Sequence, residues 1–229
     1  MKTLGLIGGT TWLSTVEYYR VINREINKRL GGASSAKILL YSLNLEEFKP
    51  PPDPDEWKVA KPLIDIARRL EKAGAECLLI CANTPHMFAD ELQNEICIPL
   101  IHIADVTASE IRKQNIDKIG LLGTKVTMEQ PFYSEHLSRA GVTTLVPDPD
   151  ERNFMNETIF NELGKDVFKP ETKKKYLDII DKLTKQGAEG IVFGCTEIPL
   201  LLKQSDCSVP VFDTATIHAM AAVEFALSD

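Results

Sequence analysis

Basic clusters are scarce in this chain of 229 residues. Acidic residues outnumber Lys and Arg 33 to 26, for a net charge of −7, and the densest basic run is Lys173-Lys174-Lys175. Gripping a phosphate backbone needs a basic patch, so a nucleic-acid partner is not expected. Apolar runs are short too, and none approaches the ~20 residues of a bilayer span, so no membrane segment is expected. The opening MKTLGLIGG offers one Lys and a few apolar residues before Gly8-Gly9, which does not fit a secretory leader. The five cysteines (Cys77, Cys81, Cys97, Cys195, Cys207) are odd in number and form no C-x-x-C pair. That excludes a disulfide scaffold and fits a reducing cytoplasm. Neither G-x-G-x-x-G nor G-x-x-x-x-G-K-[ST] occurs, which disfavours nicotinamide and nucleotide chemistry. The histidines and cysteines show no ligand spacing, so no metal is expected.

What is present is an alternation of short apolar runs with longer amphipathic stretches. Leu4–Ile7, Lys37–Tyr41, Cys77–Ile80, Pro99–His102, Lys118–Leu122, Thr143–Val146, Gly190–Phe193 and Val209–Phe212 read as strands. Most are nearly all apolar, as strands covered on both faces by helices are. Helical patterns fill Ser14–Leu30, Glu56–Ala73, Asp105–Gln114, Thr127–Ala140, Arg152–Val167 and Glu171–Gln186, and Thr214–Leu227 closes the chain. This order predicts an α/β fold with mainly parallel sheets flanked by helices. Lys72–His86 and Lys185–Pro199 echo each other, and a weaker echo links the Gly-Thr turns at Gly8 and Gly123. Two similar halves are therefore expected: residues 1–103 with the closing helix 214–229, and residues 104–213. The proline-rich stretch Lys49–Asp55 can be neither helix nor central strand. It reads as an exposed loop, at the mouth of a site or simply on the surface.

Ligands of open parallel sheets gather beyond the carboxyl ends of the strands. Four turns hold that position: Gly8-Gly9-Thr10-Thr11, Ala82-Asn83-Thr84, Gly123-Thr124-Lys125 and Gly194-Cys195-Thr196-Glu197. Small residues and helix-opening N–H groups there suit a small carboxylate. Cys195 stands out. It follows a glycine at a strand end and precedes a helix start, where the dipole is expected to lower a thiol pKa. The alternative is that it is a small buried apolar residue.

These residues resemble the aspartate/glutamate racemase family, and its broad-specificity amino-acid racemase branch in particular. The likeness runs through Gly8–Asn23, Ala82–His86, Ile101–Asp105, Leu121–Tyr133, Phe193–Leu201 and Val211–Ala219. It implies cofactor-independent (PLP-independent) inversion of an amino-acid Cα in a cleft between two pseudo-symmetric domains, in a homodimer. Inversion needs an acid/base on each face of the carbon. The resemblance places one at Cys195 and its twin at Ala82, where relatives carry Cys or Thr. A methyl group cannot move a proton, so the site is impaired, one-sided or engineered, unless Cys81, Thr84, His86 or a water stands in. The likeness also makes Thr10, Asn83, Thr84, Thr124, Thr127, Thr196 and Glu197 contacts for a small amino-acid or dicarboxylate substrate. Capping and turn formation are the plainer roles of these threonines and of Asn83. His86 and His102, bordered by apolar sequence, read as structural, and Lys165 as a solvated helix lysine. The Glu46–Pro52 loop is assigned to side-chain selection and contains no arginine. Two other functions fit the same residues: a one-cysteine decarboxylase or isomerase of a small dicarboxylate, and a non-catalytic amino-acid-binding protein.

Overall fold

The computed structural model describes residues 1–48 and 60–228. By contacts the chain divides into two compact units, Met1–His102 with His218–Asp229, and Ile103–Ile217. No helix of the described residues is long and apolar enough to cross a membrane.

The first unit contains β1 (Leu4–Gly8), α1 (Trp12–Leu30), β2 (Ile38–Ser42), α2 (Ala60–Lys72), β3 (Cys77–Ile80) and α3 (Ala89–Gln93). All five β1 residues and all four of β3 are buried, because this parallel sheet, ordered β2-β1-β3, has little face left for water. Tyr18, Ile22 and Ile26 recur every four residues on the buried face of α1. From α2, Leu63, Ile66, Ala67 and Leu70 join Ile7, Leu78 and Ile80 in one core cluster. The strand expected at Pro99–His102 contracts to a single parallel bridge, Leu78 to Leu100. The proline-rich stretch Lys49–Asp55, the end of the Glu46–Pro52 loop and the expected helix start at Glu56 lie outside the described residues.

The second unit holds α4 (Ile103–Lys113), β4 (Lys118–Gly123), α5 (Lys125–Glu129), α6 (Pro131–Arg139), β5 (Thr143–Leu145), α7 (Pro149–Asn161), α8 (Pro170–Lys185), β6 (Gly190–Gly194), α9 (Ile198–Leu201) and β7 (Val211–Asp213), and the start of α10 (Thr214–Leu227). Its sheet is parallel, ordered β5-β4-β6-β7. The single helix expected over Thr127–Ala140 is two, since Pro131 opens α6 after an extended Gln130. The helix expected to Val167 ends at Asn161, and a short 3-10 turn follows, closed by Asp166 in the left-handed region.

The turn after β1 depends on Gly9. Its φ is +89°, and a Cβ there would sit 2.0 Å from the Leu43 carbonyl oxygen. A Gly9→Ala variant is expected to lose about 3 kcal/mol of stability, since backbone strain and a backbone clash coincide. A lower urea midpoint would report this, and an unchanged one would show that the turn can relax.

Candidate active site

In the first unit, the turn after β1 and the turn after β3 are fastened together. Thr11 caps α1 by accepting from the Ser14 N–H, and the Ser14 hydroxyl donates to the Cys81 carbonyl at 2.7 Å. The Gly9 N–H donates to Thr15 Oγ1 at 2.8 Å. Cys81, Ala82 and Asn83 are buried, while Thr10 and Thr84 are half-buried. Burial pushes the Cys81 thiol well above its ordinary range, which leaves it protonated at any physiological pH.

Behind Ala82 lies a buried group of imidazoles. His86 Nδ1 is 2.8 Å from the Ala82 carbonyl oxygen. A carbonyl only accepts, so this nitrogen carries the proton. His218 Nε2 likewise donates to the Ile101 carbonyl at 2.7 Å, and its Nδ1 accepts from the Tyr18 hydroxyl at 2.8 Å. The His86 ring packs edge-on against His102 and His218, with centroids 4.9 and 5.3 Å apart. Burial drives both His86 and His218 down to about 3, aided by His218 acting on His86 and by His102 acting on His218. All three histidines are buried.

In the second unit, two glycines bring two turns into contact. A Cβ on Gly123 would lie 2.9 Å from the Gly194 carbonyl oxygen, and one on Gly194 would lie 3.0 Å from the Leu122 carbonyl oxygen. Glycine at both positions lets the ends of β4 and β6 close up, as close backbone approach requires. Thr124 then caps α5 by accepting from the Thr127 N–H, and the two buried hydroxyls lie 3.0 Å apart. Next to the second glycine, the Cys195 thiol donates to Glu197 Oε2 at 2.9 Å, and the Thr196 hydroxyl donates to the same oxygen at 2.8 Å. Cys195 and Glu197 are both buried.

The expected lowering of the Cys195 thiol pKa is reversed. Burial raises it well above the ordinary value, and the Glu197 charge and the thiol–carboxylate hydrogen bond raise it further. The N–H groups of Thr196 and Glu197 act in the opposite direction but are outweighed. α9 has only four residues, too short a dipole to overcome a carboxylate in hydrogen-bond contact. In its resting form the sulfur is thus a thiol hydrogen-bonded to a buried carboxylate.

The sequence pattern of the Asp/Glu/Hydantoin racemase family matches residues 7–222. The chain belongs to the Asp/Glu/Hydantoin racemase family. It is 26% identical to the broad specificity amino-acid racemase RacX of Bacillus subtilis over 231 residues, 96% of each chain. Among solved structures it is similar to a putative Asp/Glu racemase from Yersinia pestis, with 46% identity, TM-score 0.93 and 100% of both chains covered. An aspartate racemase homologue from Pyrococcus horikoshii OT3 gives 39% identity and TM-score 0.85, again over 100% of both chains.

Within this racemase-family chain, the structure groups the sequence candidates by unit. Cys81, Ala82, Asn83 and Thr84 follow one another at the end of β3, tied to the Thr10–Thr11 turn through Ser14. Thr124, Thr127, Cys195, Thr196 and Glu197 meet through Gly123 and Gly194. Lys165 is exposed in its short 3-10 turn. Sequence reading passed over Ser14, Tyr18, His218 and Tyr176. Tyr176 is a buried phenol whose hydroxyl lies 3.1 Å from Thr158 Oγ1 and which senses the charges of Cys195 and Glu197. The i, i+3 relation of Thr11 and Ser14 was the one local signal available; the others join residues far apart in the chain.

Proposed function

We propose that the protein is a cofactor-independent amino-acid racemase whose site is impaired to one-sided action: Cys195 exchanges the Cα proton from one face, and the family's second acid/base position is occupied by Ala82, so that inversion is slow. The observation that carries the reading is the 2.9 Å hydrogen bond from the Cys195 thiol to the buried Glu197 carboxylate. Glu197 takes the thiol proton, and the resulting thiolate takes the Cα proton and becomes a thiol again. Reprotonation of the carbanion from that thiol, with Glu197 returning its proton to sulfur, restores the starting state. Glu197 acts through the sulfur, as a positioning and proton-holding residue. Asn83, Thr84 and Thr196 supply N–H and O–H donors for the substrate carboxylate, which stabilises the enolate-like transition state. The family membership and the RacX likeness support an amino-acid substrate.

Ala82 favours a second reading within the same chemistry. With a methyl there and the neighbouring Cys81 thiol buried and protonated, one sulfur works alone, as a decarboxylase or isomerase of a small dicarboxylate would use it. Proton NMR in D2O separates the two. Incubation with each enantiomer of aspartate, glutamate and neutral amino acids is expected to wash the α-hydrogen out of one enantiomer faster than the other. CO2 release from malonate-type acids without amino-acid exchange would select the second reading. No amino-acid exchange, no CO2 and no isomerised dicarboxylate from folded protein would refute both and leave a binding role, visible as ligand-induced thermal stabilisation that persists in Cys195→Ser.

A further inference from the structure

Taking Cys195 as the acid/base of the racemase reading above, we propose that Thr127 is its positioning residue. The Thr127 methyl seats on Gly123 and Gly194 together and fixes, through the Gly194 backbone, where the sulfur points.

Thr127 stands in the first turn of α5 and is 1% exposed. A Cβ built on Gly123 would lie 3.2 Å from Thr127 Cγ2, and one built on Gly194 would lie 3.2 Å from the same carbon. One methyl therefore occupies the room that both glycines leave open, where the ends of β4 and β6 close up. Leu121 Cδ1, 3.0 Å from the Gly194 position, is a second side chain packed there. Glycine is the residue with the widest backbone freedom, and close packing is what takes that freedom away.

The hydroxyl aims the methyl. A β-branched side chain has few χ1 rotamers, and threonine in a helix divides between two of them. The Thr127 hydroxyl lies 3.0 Å from the Thr124 hydroxyl, and the Thr127 N–H donates to Thr124 Oγ1 at 3.3 Å. That pairing keeps the rotamer whose methyl lies over the glycines. Covalent geometry passes the contact on. Gly194 is bonded to Cys195, whose thiol donates to Glu197 Oε2 at 2.9 Å. A small rotation about the Gly194 backbone would lengthen that hydrogen bond and re-aim the sulfur, and proton transfer tolerates little misplacement. The two groups of one side chain thus divide the work: the hydroxyl pairs with Thr124, and the methyl braces the residue before Cys195.

Three substitutions separate the methyl from the hydroxyl. Thr127→Ala removes both and is expected to lower kcat for α-hydrogen exchange about tenfold with KM nearly unchanged, short of the ~10²-fold that 1 Å of misplacement costs. Thr127→Val returns a methyl without the hydroxyl and is expected to recover most of the loss. Thr127→Ser returns the hydroxyl without the methyl and is expected to recover little. Alkylation of Cys195 by iodoacetamide, followed across pH by mass spectrometry of its peptide, reads the same order without any substrate. In the Ala and Ser variants its midpoint is expected to fall by about one pH unit, a tenfold change in proton affinity. The loosened turn weakens the Glu197 contact that helps to hold the thiol proton. The Val variant is expected to return the midpoint toward that of the unaltered protein. Rescue by Ser rather than Val, with the loss in KM, would put the hydroxyl on the substrate and overturn the proposal. Equal losses in Ser and Val, or no loss in any variant, would overturn it too. An unaltered protein that exchanges no α-hydrogen would refute the racemase reading alone, because the alkylation profiles still decide what the methyl does. Should Thr127→Val fail to fold, Ser against Ala decides: matching behaviour supports the methyl, and a Ser variant that behaves as the unaltered protein overturns it.

Discussion

Ala82→Thr is expected to raise the rate of racemisation by about 10²–10⁴-fold, the usual contribution of one positioned acid or base, while leaving α-hydrogen exchange of the enantiomer served by Cys195 within a few-fold of its starting rate. The two effects separate because they belong to different faces of the carbon. Exchange requires one group to remove and return a proton on the same side. Inversion requires a second group to deliver a proton from the opposite side, and a methyl at residue 82 has none to deliver. A threonine hydroxyl is a weak acid, yet a carbanion held beside it is a strong base, so even this group suffices as donor. Ala82→Cys is expected to behave alike. Residue 82 sits where the chain leaves β3 for a short 3-10 turn, and its carbonyl is engaged by His86, so the backbone is already fixed before any side chain is added. Chiral chromatography of the product reads the gain. If neither variant inverts substrate although both remain folded and still exchange the α-hydrogen, the missing group at residue 82 is not what limits inversion, and the assignment of residue 82 as the second acid/base position fails. Adding Cys195→Ala to Ala82→Thr is expected to remove both inversion and exchange, which ties the gain to the proposed sulfur.

The difference between what could and could not be read from sequence follows the range of the interactions. The strands of β1, β3, β4 and β6 were legible because each is an apolar run bounded by glycine or a turn, a purely local signal. The Pro99–His102 strand was not, because its pairing is limited to Leu100, and a strand's length depends on its neighbour as much as on its own residues. Gln130-Pro131 carried a visible break that the helical periodicity on either side masked. At the site, the position of Cys195 was legible, since glycine and threonine bracket it at a strand end. Its proton affinity was not: a dipole argument needs a long helix, and whether a residue two positions on turns its carboxylate toward the sulfur is set by the turn. The pairing of Tyr18 with His218 spans 200 positions, and no periodicity foreshadows it.

Those same buried imidazoles make the first unit sensitive to acid. His86 and His218 are held at about 3 in the folded chain against an ordinary 6.5, first of all by burial. In the unfolded chain both take up protons as the pH falls through 6.5, whereas the folded chain refuses them, so the unfolded state binds more protons and stability rises with pH across that window. The stabilisation is complete above 6.5 and is lost progressively below it. At about 1.4 kcal/mol per pH unit for each group, the two together are expected to remove about 4 kcal/mol by pH 5. Carboxylates with lowered values, Asp148 among them at about 2, lose their contribution only at lower pH and do not obscure this window. Urea midpoints measured from pH 8 to pH 5 are expected to fall steeply below 6.5. Amide protection should fail first in α1 and the His218 end of α10, before α8. His218→Gln, whose amide can still donate to Ile101 and accept from Tyr18, is expected to halve the slope. A stability profile flat from pH 7 to pH 5 would mean that the histidines admit protons without cost, and would contradict the buried, neutral pairs that hold the Ala82 turn in place.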